Sequence, residues 1–155
     1  MLLHARSIAA LQTLVADKGD RAQVAKQIAD WIAGERHYRW VGLYEVTPAE
    51  IGMISCSGST PPAFPRFPVS RGLCGAAVAT ASIVNVGNVQ ADPRWLTTFG
   101  STRSEIIVPV FAANSRVAAL IDVESDSLNA FSESDEQFLS HCATIISSLF
   151  QFAKR

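Results

Sequence analysis

The chain has 155 residues, 48% hydrophobic and 17% charged, which is one domain's length, with enough apolar content for a core and too little charge for a disordered tail. Thirteen basic residues against 14 acidic ones leave a net charge of −1, so there is no basic surplus for a phosphate-backbone binder and no nucleic-acid partner is expected. No apolar run approaches the roughly 18 residues of a membrane span. The stretch MLLHARSIAALQTLVADKGD lacks a basic n-region and reads as an amphipathic helix of a soluble cytoplasmic protein, not as a signal peptide.

Ile8, Leu11, Leu14 and Val15 repeat with helical period over residues 5–16. Asp20 with Gln23 suits the start of a second helix, whose apolar face is Val24, Ile28, Trp31 and Ile32 and whose end falls at Gly34. YRWVGLYEV at 38–46 is dense in aromatic and branched residues and predicts a strand, followed past Pro48 by a shorter one at 51–56. SGSTPPAFPRFPVSR at 57–71 carries four prolines and predicts a loop of extended segments, with a short strand at 67–69. A turn into a small-residue helix (71–79), a buried strand (82–86) and a long loop (87–103) come next. Strands at 105–111 and 116–124 precede a last helix opening at Ser132, with Asp135 in its first turn. Phe138, Cys142, Ile145 and Leu149 in that helix are spaced like a heptad stripe, which suits either a homodimer or the back of the sheet. Strand pairs between terminal helices predict a single α+β domain over 1–155: an antiparallel sheet of about six strands, helices on one face, and long loops roofing a pocket on the other.

The three cysteines, 56, 74 and 142, form no CxxC pair, and His4, His37 and His141 have no ligand spacing. Neither a disulfide framework nor a four-ligand zinc site is expected, and no cofactor is implied. Three groups of residues have chemical interest. Cys74 stands near a helix start beside Arg71, as a thiol of lowered pKa or as an inert packing residue. Asp122 and Glu124 alternate on one strand, sharing a face with Leu120 and Ala118, and Glu105 opens the neighbouring strand. Three carboxylates converging there would suit an α-amine; otherwise they are a solvated strand end. Trp40, Tyr44 and Trp95, with Phe64, Phe67 and Phe99, are either pocket walls or core.

WVGLYEV (40–46), RGLCGAA (71–77), IVNVGNVQADPRW (83–95), SEIIVPV (104–110) and VAALIDVES (117–125) resemble, in this order, the motifs of GAF domains, and most of all the small stand-alone ones that include free methionine-(R)-sulfoxide reductase. The resemblance spans residues 20–150. It implies a six-stranded antiparallel sheet, a small-molecule pocket, and dimerisation through terminal helices. In the reductases the attacking cysteine lies six residues before the Ser-Glu-Ile serine; here that position is Thr98. A second family cysteine corresponds to Phe64, and the Gly-x-Cys-Gly cysteine to Cys74. Threonine cannot stand in for a thiolate that must become a sulfenic acid. The family's amine-holding acids correspond to Glu105, Asp122 and Glu124. The resemblance thus implies a ligand-binding module without intact reductase chemistry, the alternative being a variant reductase using Cys74, with Cys56 as partner. Three acids would repel a cyclic nucleotide's phosphate, with only Arg66, Arg71, Arg94 and Arg103 in the loops to compensate.

Overall fold

A computed structural model describes residues 5–151, and His4 lies outside the described residues. Two helices, α1 (Ala5–Val15) and α2 (Arg21–Arg36), lead into β1 (Trp40–Val46), β2 (Glu50–Cys56) and the short β3 (Arg66–Pro68). Helix α3 (Gly72–Thr80) and β4 (Val84–Val86) follow, then β5 (Ser104–Phe111), β6 (Val117–Ser125) and α4 (Glu133–Ile146). The strands form one antiparallel sheet in the order β3-β2-β1-β6-β5-β4. Among the described residues no helix is long and apolar enough to cross a membrane.

Strand alternation divides the apolar residues into two cores. On one face Val41, Leu43, Ile106, Val108, Ile121 and Val123 pack with Leu11 of α1, Ile28 and Ile32 of α2, and Phe138, Leu139, Cys142 and Ile146 of α4. On the other, Trp40, Tyr44, Ile107 and Leu120 meet Leu73, Cys74 and Ala77 of α3. α4 is capped by Ser132, as the sequence suggested, and Ser132 and Asp135 close a reciprocal capping box there. Asp20 caps α2 by accepting from the Gln23 N–H.

Several boundaries differ from the sequence reading. α2 runs past Gly34 to Arg36 and closes on His37 in the left-handed region, φ 57°. Arg36 holds this last turn by donating to Ser134 and pairing with Asp135. Tyr38 is not in β1; its hydroxyl donates to Asp135 at 2.6 Å and its ring lies between Phe131 and Phe138. β4 starts at Val84 instead of Ser82, and the loop 87–103 contains a single 3-10 turn at Val89–Ala91. Ala118 does not share the face of Asp122. An irregularity in the β5–β6 register at Val110/Phe111 interrupts the alternation, so Ala118 and Ala119 both enter the helix-side core. α4 ends at Ile146, short of the predicted stripe's last residue. Its inward residues are Phe138, Leu139, Cys142, Ala143 and Ile146, with Ile145 only partly buried, while Leu149, also partly buried, lies in the 3-10 turn Ser147–Phe150 that follows.

Candidate functional site

The acid cluster is built by strand register. Trp40 of β1 pairs with Glu124 of β6, and Glu124 in turn pairs with Glu105 of β5. One row across three strands therefore carries an indole and two carboxylates. The next row is Gly42, Asp122 and Ile107. Gly42 has a steric purpose: a Cβ there would lie 2.4 Å from Trp40 Cη2 and 2.9 Å from Tyr44 Cε1. The two rings close over the bare glycine and flank the acids.

Glu105, Asp122 and Glu124 are 3%, 2% and 2% exposed, so the strand end is not solvated. Thr102, itself buried, donates its hydroxyl to Glu124 Oε1 at 2.7 Å. Glu105 Oε1, Asp122 Oδ1 and Glu124 Oε2 have no hydrogen-bond partner, an expensive arrangement for buried oxygens. Burial is the main force raising all three carboxyls. Glu105 is raised further by the charge of Glu124, and Asp122 by the charges of both glutamates and by sharing its proton with them, so the partners these acids do have, Thr102 apart, are one another. Trp95 lies close enough to oppose the rise at Glu105, though its indole N–H makes no hydrogen bond of ordinary length; Thr98 and Thr102 oppose it at Glu124.

Cys74 projects from α3 onto the same acids. Burial, then the charges of Asp122, Glu105 and Glu124, push its thiol well above its ordinary value. The expected lowering by Arg71 is absent, because Arg71 lines an open outer groove while Cys74 faces carboxylates.

The predicted site residues fall into three places. Tyr44, Cys74, Glu105 and Asp122, with Phe64, Phe67 and Thr98, surround a cavity of about 20 Å³. Trp40 and Glu124, with Phe99, Arg39, Ser57, Thr60 and Ser101, line a cavity of about 170 Å³. Trp95 forms part of a more open groove with Pro93, Arg94 and Leu96. Phe99 meets Trp40 edge-on, with ring centroids 5.3 Å apart. The loop arginines do not compensate the acids: Arg66 pairs with Glu50, Arg94 with Asp92, and Arg103 donates to the Thr102 carbonyl. The two roof loops are joined by the Ala63 N–H donating to the Thr98 carbonyl at 3.1 Å. Cys56 is elsewhere, its Sγ near the Thr60 carbonyl, and all three cysteines are free.

Sequence reasoning missed Thr102, Gly42 and Arg39. The aromatic-x-Gly-x-aromatic run Trp40–Tyr44 carried the signal for Gly42, since a strand glycine between same-face aromatics marks a close approach. Arg39 and Thr102 had none, because their places depend on how the loops return.

A six-stranded antiparallel sheet with three helices behind it, and with α3 and roofing loops in front, is a GAF fold. The chain belongs to the GAF domain family, whose model matches residues 20–151. It is 26% identical over 151 residues to protein ZMO0507 of Zymomonas mobilis, covering 97% of this chain and 91% of that one. It also resembles two solved structures. One is a type II free methionine-R-sulfoxide reductase of Thermoplasma acidophilum, at 30% identity and TM-score 0.78, covering 90% of this chain and 94% of the other. The second is the substrate complex of the Neisseria meningitidis free methionine-R-sulfoxide reductase, at 28% identity and TM-score 0.82, covering 96% and 92%.

Proposed function

We propose that this chain is a GAF binding module for a small metabolite bearing an amine or other compact cation. The observation that carries the reading is the set of three buried carboxylates, each with an unpartnered oxygen, under an aromatic roof. The ligand's cationic head enters the 170 Å³ cavity, which Trp40 and Phe99 help to line, and meets Glu124 there. Indole faces attract cations, and a desolvated carboxylate adds a charge-assisted hydrogen bond. Ser57, Thr60 and Ser101 supply polar groups for the rest of the ligand.

Titration calorimetry of the full chain against free amino acids and simple amines tests this. Glu124→Gln is expected to weaken the best ligand roughly tenfold to a hundredfold, the value of one charged hydrogen bond. A panel without any binder, or equal affinity in the variant, would sink the reading.

A variant reductase using Cys74 has the relatives' activity in its favour. Against it stand Thr98 at the attacking position and a Cys74 thiol that its burial, and then the neighbouring acids, push well above the ordinary value. Incubating reduced protein with free methionine-(R)-sulfoxide, without external reductant, separates the two: one methionine per chain with two thiols lost would favour the enzyme.

A further inference from the structure

The 20 Å³ cavity poses a different chemical question from its larger neighbour. Cys74 of α3, Glu105 of β5 and Asp122 of β6 each offer one ligand atom, and the three atoms lie within 4.8 Å of one another. Three separate elements therefore converge on one point. The residues are 4%, 3% and 2% exposed. Glu105 Oε1 and Asp122 Oδ1 accept no backbone, hydroxyl or amine hydrogen bond there, the two acids having each other as carboxyl–carboxyl neighbours, and no basic side chain lines the space.

Size decides the occupant. About 20 Å³ of this kind of space admits one water-sized sphere and no organic ammonium with its carbon substituents. The complement to two carboxylates and a thiol around such a space is a bare cation. Calcium and magnesium favour all-oxygen sets, whereas a sulfur ligand selects borderline-soft transition ions. Three protein ligands with a further position open is also an ordinary ligand count for a non-structural zinc site.

We propose that Cys74, Glu105 and Asp122 form a binding site for a thiophilic divalent transition ion of the zinc or cobalt class. The ion binds Cys74 as thiolate and Glu105 and Asp122 as carboxylates, and the protons that the thiol and the carboxyls held leave to solvent. Glu124 and the larger cavity stay available to an organic ligand, so the site does not depend on the amine reading.

Cobalt(II) is the direct probe, added to the chelator-stripped full chain. One equivalent is expected to bind with a thiolate-to-cobalt charge-transfer band, and zinc is expected to displace it. Cys74→Ala abolishes the band, and Glu105→Gln weakens binding by roughly tenfold or more. Cys56→Ser and Cys142→Ser leave both unchanged. Thermal unfolding of each metal-free variant checks its fold. X-ray absorption of the zinc-loaded natural chain gives a readout without mutation: one sulfur scatterer among oxygens is expected. A wild-type chain without the band, a band that survives Cys74→Ala, or a zinc shell without sulfur would each overturn the site. Amine titration of the same stripped protein keeps the two readings apart, since loss of amine binding with the cobalt band intact removes only the amine reading.

Discussion

Glu105 and Glu124 sit directly opposite each other on adjacent strands, where like charges destabilise a sheet. Both are raised chiefly by burial, as is Asp122. A carboxyl whose folded pKa exceeds its unfolded one binds more protons when folded. Its contribution to stability is complete below the ordinary carboxylate range and is lost as pH climbs through the raised value. The cluster therefore makes the protein less stable as pH rises from about 4 upward. Glu105→Gln removes one of these carboxyls without changing shape, and is expected to stabilise the chain at neutral pH by on the order of 1–3 kcal/mol. Its denaturant midpoint will fall less steeply with pH than that of the natural chain; an unchanged slope would place the pH dependence elsewhere. Asp135 works in the opposite sense. Burial draws it upward, but hydrogen bonds from Tyr38 and Ser132 and the charge of Arg36 hold it below its ordinary value. Its stabilisation is present above the carboxylate range and lost as pH falls.

The elements differ in how far their own residues determine them. The aromatic and branched residues of 38–46 and the apolar stretches 105–111 and 116–124 made the strands legible. The two-residue spacing of Asp122 and Glu124 put both acids on one face, because a strand's side-chain period is fixed by its backbone. Gly34 looked like a helix stop, yet α2 continues, because Arg36 is gripped by Ser134 and Asp135 about a hundred residues later. Tyr38 looked like strand and instead serves α4. Both misreadings come from long-range contacts that local propensity does not contain. The division of the site into two cavities was hidden for the same reason, since the sequence does not say which loop covers which acid. Two glycines make the point measurable. Gly42→Ala puts a methyl into Trp40 and Tyr44, so it is expected to cost about 1–3 kcal/mol and to alter tryptophan fluorescence. Gly34→Ala meets nothing within 4 Å in a helix interior and is expected to stabilise by about 0.5–1 kcal/mol. Equal effects on urea unfolding would contradict this assignment of roles.

At the scale of the whole molecule, one sheet separates a structural core from a chemical one. The helix-side core is continuous and apolar, so it can carry stability while the other face holds unpaired carboxylates at a cost. The roof over that face is built differently from the sheet. Lys26 donates to the carbonyls of Cys56 and Gly58, and Asp30 accepts from the Gly58 N–H, which pins the start of the first loop to α2. Further along, Phe64 is 48% exposed, and the Ala63–Thr98 backbone bond spans the two loops. A ligand larger than the present cavities must part the loops at that bond. Few buried contacts and exposed hydrogen bonds mark segments that open at low free energy. Hydrogen exchange should therefore report faster amides in 59–65 and 96–102 than in β1, β5 and β6, with the Ala63 amide among those slowed when a ligand occupies the larger cavity. If the free protein protects these loops as strongly as the central strands, the roof does not gate the site, and ligands must reach Glu124 from the Arg39 side instead.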